Sequence, residues 1–414
     1  MSRAAAVGES LAAFRRGAVD LIEERELVAK LERAQGRSGG LRVKLGLDPS
    51  SPDLHFGHAV LLTKLADLQA LGHTIVLIVG DATAMVGDPS GRNKLRPQLT
   101  RDEVNRNLVT YKEQAGLLLD MQRVEVRHNS EWFDAMRFED VLRLLGRRTV
   151  AQTLAREDFQ KRLESEAPIG LHELVYPVMQ GWDSVQVRAD VELGGTDQLF
   201  NLLVGRELQV QGGQEAQVVL TTPLINGLDG RKMSKSYGNA IGLTDAPQEI
   251  FGKTMSIVDE AMPVWFELLT RIPAEEGKAI LQGHPREAKA RLASELVAML
   301  HGPEKAREAR AEFDRRFVDK EKPTDIPSFD WPQERLGAER SGSLVPSSLP
   351  LATLLRSLRL TASSSEAYRV IEQGGVRVND SVIVDPKKLI SPPGAEGLLI
   401  QVGKRRFARV KPAK

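Results

Sequence analysis

The period of the apolar residues changes twice between Leu41 and Val79, and no other feature narrows the fold as far. Leu41-Arg42-Val43-Lys44-Leu45-Gly46-Leu47 alternates with period two and predicts a strand. Asp48-Pro49 breaks it, helical patterning runs from His55 to Leu71, Gly72 stops that, and Thr74 to Val79 is a short apolar run that predicts a buried strand. Two strands joined through a helix pair in parallel, since a parallel connection needs a crossover and a hairpin does not. The alternation then continues. Thr100-Arg101-Asp102-Glu103 reads as a capping box opening a helix, Val124 to Arg127 as the next strand, and period two returns at Val187, Ala189, Val191 and Leu193. A helix over Asp197 to Gln211 and a strand over Gln217 to Leu220 follow. Strands separated by helices place residues 41–245 in the α/β class, as a doubly wound, mostly parallel sheet.

The flanks differ. Residues 1–40 read as an N-terminal helical segment, with Leu21, Ile22, Leu27, Val28 and Leu31 at helical spacing and Gly39-Gly40 as its stop. Residues 246–320 show helical patterning without strand signals, as in Ala288 to Leu300, and predict a helical domain. Residues 321–350, rich in proline and serine, read as a linker. In residues 351–414, Leu351, Leu354, Leu355 and Leu358 fall on one helix face, and a second helix from about Ser364 is stopped by Gly374-Gly375. Val376 to Val384 then reads as a hairpin turning at Asn379-Asp380, which makes a small α+β domain. The whole chain carries a net charge of only +1, yet this last part holds twelve basic residues against five acidic ones, a local +7. A folded basic module of this kind suits RNA.

With 41% hydrophobic residues in 414, the chain can bury one large core and one or two smaller ones. The absence of cysteine removes disulfides, thiolate metal sites and cysteine nucleophiles together, and agrees with a reducing interior. Glu9, Arg15, Arg16 and Asp20 interrupt any apolar run near the N-terminus, so neither a secretory segment nor a membrane span is expected and the cytoplasm is the expected location.

His55-Phe56-Gly57-His58 opens the first crossover helix, the place where open α/β sheets bind ligands. Its imidazoles at i and i+3 share a face and can donate to phosphate oxygens, while Gly57 lets a flat base approach the backbone. Far downstream, Lys232-Met233-Ser234-Lys235-Ser236 puts two lysines in a serine-rich loop, able to neutralise charge that develops as pyrophosphate departs. Together they describe an enzyme that activates something with ATP. Tyr176, Gln180 and Asp183, at i, i+4 and i+7, share a helix face that offers a phenol, an amide and an acceptor. The plainer reading is a helix packing Tyr176 and Trp182 into the core. Asp88 in Gly87-Asp88-Pro89-Ser90-Gly91 reads equally as a turn residue or as a binding charge. A histidine pair can also hold a metal, but His73, His128, His172, His284 and His301 complete no ligand spacing, so no protein-held metal is expected.

In order and separation the two nucleotide motifs resemble those of the class I aminoacyl-tRNA synthetases, which read H-I-G-H and K-M-S-K-S; Phe56 is the one change, and it stays apolar and is expected to pack inward. Tyr176 to Asp183, Gly194-Gly195-Thr196-Asp197-Gln198, and Gly87 to Gly91 with Thr83 upstream resemble the tyrosyl-tRNA synthetases. The similarity runs from about Leu41 to Asn239, and the helical and basic C-terminal parts match the bacterial layout. Residues 351–414 resemble the RNA-binding fold first described in a small-subunit ribosomal protein.

The resemblance implies a Rossmann-like catalytic sheet on which L-tyrosine is activated by ATP, with Mg2+ as its counter-ion, and then transferred to tRNA(Tyr), by a homodimer. It implies that His55, His58, Lys232 and Lys235 are catalytic. Asp48, Gly57, Ser234 and Ser236 would join them around ATP, and Lys44, Gly46, Thr83, Asp88, Tyr176, Gln180, Asp183 and Gln198 would surround tyrosine. Within that set Asp88, Tyr176 and Gln180 would hold the ammonium, and Asp183 would accept from the phenol hydroxyl. Arg92 and Arg96 would meet pyrophosphate or the tRNA acceptor end, or be solvated loop cations, and Arg377, Lys404, Arg405 and Arg406 would face tRNA. Lys44 departs from the family pattern, because many members carry a tyrosine there that also touches the phenol; Lys44 would donate to the hydroxyl or pair with Asp183. The rival readings are a tryptophanyl-tRNA synthetase and a non-catalytic RNA-binding paralogue.

Overall fold

Six strands, β1 (Asp20–Ile22), β2 (Arg42–Leu47), β3 (Thr74–Val79), β4 (Val124–His128), β5 (Val191–Gly195) and β6 (Val218–Thr222), form one sheet in the order β1-β6-β5-β2-β3-β4. All neighbours are parallel except β1 and β6. The chain order reverses between β2 and β5, so a crevice opens beyond their carboxyl ends, where doubly wound sheets place ligands. The computed structural model describes residues 3–36, 39–49, 51–90, 99–234, 237–317, 326–332, 334–335, 343–344, 348–394, 396–403 and 406–412. They fall into two compact units, residues 1–311 and 312–414.

The predicted strands and the first crossover helix, now Phe56–Ala70, stand within a residue or two of their expected bounds. Thr100 and Glu103 form the predicted capping box, each side chain bonded to the other's backbone N–H. Phe56 is fully buried, stacked on Trp265 at 6.1 Å between ring centroids. Three expectations need correction. Val187 and Ala189 do not begin a strand: the helix Leu171–Val187 runs through the first of them and ends at Arg188 in a left-handed conformation, φ 49°. This helix lies against the helix Leu199–Gln211 with Gly181 at the crossing, where a Cβ would meet Gly205 N at 3.1 Å.

The N-terminal segment is not helical throughout either. Helices Arg3–Arg15 and Glu24–Ala34 flank β1, whose Asp20, Leu21 and Ile22 pair antiparallel with Thr221, Leu220 and Val219. Lys64 caps the first helix, donating to Ala13 O at 2.8 Å, Phe14 O at 3.3 Å and Arg16 O. Arg16 donates in turn to Glu267 O, Thr270 O and Ile272 O, so this segment ties the sheet to the helical part. That part consists of helices Pro247–Thr254, Met262–Leu269, Ala274–Leu281 and Pro285–His301, and Pro303–Phe317 crosses the division between the units.

In the second unit, helices Leu351–Ser357 and Ser364–Glu372 cover a five-stranded sheet. Its order is Ser381–Ile383, Val376–Val378, Leu398–Val402, Arg406–Lys411 and Ser328–Asp330. The hairpin turns at Asn379 (φ 46°) and Asp380 (φ 69°), both left-handed as a two-residue type I′ loop requires. The expected linker contributes to this fold. Ser328–Asp330 pairs in parallel with Arg409 to Lys411, and Trp331, 1% exposed, sits in the core with Leu351, Leu355 and Ile371. Among the described residues no helix is long and apolar enough to cross a membrane.

Candidate active site

One cavity of about 260 Å³ at the switch point is lined by Asp48, His55, Gly57, His58, Asp88, Tyr176, Gln180, Asp183, Gln198 and Lys232, together with Gly46 and Thr83. Residues from both nucleotide motifs and from the expected tyrosine set therefore meet around a single space. The two motifs are also joined directly. Phe56 N donates to Ile241 O at 3.0 Å and Leu243 N to Leu54 O at 3.1 Å, so the strand-like segment after the lysine loop runs beside the start of the histidine helix.

His55 caps that helix, its Nδ1 accepting from Gly57 N at 3.1 Å, while His58 Nδ1 accepts from His55 N at 3.2 Å. The rings lie 4.1 Å apart. An Nδ1 that accepts puts the proton of a neutral imidazole on Nε2, where it can donate to an anionic ligand. Lys232 Nζ pairs with Asp197 Oδ2 at 2.7 Å. Its loop is shaped by the buried Asn239, whose Oδ1 accepts from Ser234 N at 2.8 Å and whose Nδ2 donates to Asp229 Oδ1 at 2.6 Å and Lys232 O at 3.2 Å. Asn239 and Arg231 hold the Asp229 carboxyl below its usual range.

Asp48 follows β2 and accepts from Thr83 Oγ1 and from the Tyr176 hydroxyl, both at 2.8 Å. Burial, and next the Asp48 charge, push the Tyr176 phenol well above its ordinary value, so it stays protonated and donates to Asp48 while its oxygen can still accept. Asp88 accepts from Ser90 N at 2.9 Å, Ser90 Oγ at 2.6 Å and Gln198 Nε2 at 2.7 Å. The buried Arg156 braces this loop, bonding Ser90 Oγ and, at 3.1 Å, Asn201 Oδ1, with Asp88 Oδ1 at 3.9 Å. Asn201 Nδ2 donates to Gln180 Oε1 and Gln198 Oε1, which orients both amides.

Asp183, 3% exposed, accepts from Trp132 Nε1 at 3.0 Å and Asn129 Nδ2 at 3.3 Å. Burial raises its carboxyl to about 7 against the opposing pull of Lys44 and these two donors. Lys44 is not among the residues that line the cavity, contrary to its expected place around tyrosine. It is fully buried and its Nζ reaches Glu192 Oε1 at 2.7 Å, Ser184 Oγ at 2.8 Å and Gln180 O at 3.0 Å, because β2 and β5 set Lys44 opposite Glu192. No pair with Asp183 is formed.

The remaining predicted residues divide by position. Arg92, Arg96, Lys235, Ser236, Lys404 and Arg405 lie outside the described residues. Arg377 is exposed on its strand, and Arg406 donates to Leu360 O at 2.5 Å and Glu366 Oε1 at 2.8 Å, an engagement within its own unit. Sequence reasoning missed Asn129, Trp132, Arg156, Glu192, Asn201 and Asn239. All but Asn239 act through a contact remote in sequence, and none stands in a spacing that signals it; Asp197, inside the Gly-Gly-Thr-Asp-Gln run, was within reach.

The family described as tRNA synthetases class I (tryptophan and tyrosine) matches residues 37–318, and the S4 domain matches residues 349–396. A "Tyrosine--tRNA ligase" of Salinibacter ruber is 47% identical over 98% of this chain and 97% of its own length. That of Bordetella pertussis is 48% identical over the same shares. The tyrosyl-tRNA synthetase of Archaeoglobus fulgidus, solved in complex with L-tyrosine, is 26% identical with a TM-score of 0.60, covering 73% of this chain and 99% of that one. The chain belongs to the class I tRNA synthetase family of the tryptophan and tyrosine branch, with the tyrosine--tRNA ligases as relatives along nearly its whole length.

Proposed function

We propose that the protein is a tyrosine--tRNA ligase. The observation that carries this reading is the shared cavity, in which Asp183 stands with Tyr176, Gln180 and Asp88 while His55, His58 and Lys232 line the same space. The carboxylate of L-tyrosine attacks the α-phosphorus of ATP, the bond to the bridging oxygen breaks, and pyrophosphate leaves. No side-chain nucleophile is needed, since the attacking carboxylate is already ionised at neutral pH. Alignment and charge stabilisation do the work. His55 and His58 donate to phosphate oxygens, and Lys232 leaves Asp197 to join Lys235 on the departing pyrophosphate. Mg2+ enters as the counter-ion of ATP, held by phosphate oxygens. A ribose hydroxyl of the terminal adenosine of tRNA(Tyr) then takes the tyrosyl group and AMP leaves, with the basic C-terminal unit holding the tRNA.

Asp183 favours tyrosine over its competitors. A phenol hydroxyl satisfies the buried carboxylate, and phenylalanine would leave it without that donor; the general argument is known from a tyrosyl enzyme. Exchange of labelled pyrophosphate into ATP tests the reading: it should depend on tyrosine and not on tryptophan or phenylalanine. Exchange supported by tryptophan instead would overturn it. Tight tRNA binding without any exchange would favour a non-catalytic RNA-binding protein. We place the enzyme in the cytoplasm as a homodimer. Between β4 and the Leu171 helix, Phe138, Leu142, Val150 and Leu163 are exposed, four large apolar side chains within one stretch of the chain.

A further inference from the structure

Lys44 and Glu192 face each other across β2 and β5, 2.7 Å apart and fully buried. A buried ion pair gains little over well-packed apolar side chains, because desolvation offsets most of the attraction, so strand pairing alone does not account for it. Its other bonds do. Lys44 Nζ donates to Gln180 O and Ser184 Oγ. Glu192 accepts from Ser184 Oγ at 2.9 Å, from Gln180 Nε2 at 3.4 Å and from Gln217 Nε2. Gln180 and Ser184 bracket Asp183 on one turn of the Leu171–Val187 helix. The pair thus grips the substrate-facing turn by one main-chain and three side-chain hydrogen bonds.

We propose that Lys44 and Glu192 are positioning residues for amino-acid selection, clamping the Gln180–Ser184 turn so that the Asp183 carboxylate and the Gln180 amide meet the phenol and the ammonium of the bound amino acid. The proposal rests on the tyrosine reading of the cavity. It differs from a direct role, since neither side chain lines that cavity.

Lys44→Met alone would leave Glu192 buried without its cation, a change that can unfold the protein. The informative variant is Lys44→Met with Glu192→Gln, which removes both charges and keeps most of the volume. In the full-length protein it should melt close to the parent and keep its KM for ATP within about twofold, while the KM for tyrosine rises about tenfold and the preference for tyrosine over phenylalanine in exchange falls by a similar factor. Ser184→Ala removes the hydroxyl that both charges share and leaves the pair intact; it should raise the tyrosine KM about threefold with ATP unaffected. A folded double variant with parental tyrosine KM and preference would overturn the proposal, as would an unchanged tyrosine KM in Ser184→Ala. A parent protein that shows no tyrosine-dependent exchange at all would instead defeat the functional reading beneath it.

Discussion

Under the proposed function Asp183 accepts from a phenol at a place that disfavours its charge. Burial carries its carboxyl from 3.8 to about 7, so in the ligand-free protein the side chain is protonated below that pH and lacks the charge that a phenol O–H seeks. Because the group ionises as pH rises through about 7, tyrosine binding measured without ATP should strengthen through the same range and level off above it, with a limiting slope of about tenfold per pH unit. Asp183→Asn should flatten that profile and weaken binding throughout. A flat profile for the parent protein would contradict the assignment. The residues legible in the sequence were those with a spacing, such as His55 with His58 and Tyr176 with Gln180 and Asp183. Lys44 pairs with Glu192 and not with Asp183, since its partner is set by strand register: Lys44 faces Glu192 only because β2 and β5, far apart in the chain, are neighbours. Asn129 and Trp132 were invisible for the same reason.

Elements with strong local signals appeared where expected, and those decided by distant contacts did not. Thr100 and Glu103 announce their helix by a cap that any chain would form, and Asn379-Asp380 announces a hairpin by its tolerance of left-handed backbone. Asp20–Ile22 carries no such mark. It becomes a strand because β6 offers an open edge, and its leucine and isoleucine suit either period. The preceding helix depends on a partner outside itself in the same way. Lys64, buried and with its ammonium lowered to about 8 by that burial, satisfies the terminal carbonyls of Ala13, Phe14 and Arg16. Lys64→Met should therefore destabilise the protein by roughly 1–3 kcal/mol in urea unfolding, from carbonyls left without a donor. Protection of the amides of Arg3–Arg15 from hydrogen exchange should fall with it. A variant as stable as the parent would show that water replaces the ammonium at no cost.

The two compact units suggest separable tasks for the whole molecule. A chain ending after Phe317, the last residue of its helix, should keep tyrosine-dependent exchange near the full-length rate and lose charging of tRNA by about tenfold or more, most strongly at low salt. Equal loss of both activities would make the C-terminal unit a structural requirement. The exposed apolar stretch gives a second test: sedimentation should show twice the mass of one chain, and Phe138→Glu with Leu142→Glu should shift the mass toward one. Composition drew the border of the basic unit at residue 350, yet Ser328–Asp330 and Trp331 belong beyond it. A fragment begun at Leu351 would lose the neighbour of Arg409 to Lys411 and leave that row of backbone amides and carbonyls bare beside a hollow once filled by indole. Such a fragment would be sticky, prone to pairing with its own kind, and any isolated form meant for RNA work should start before Ser328.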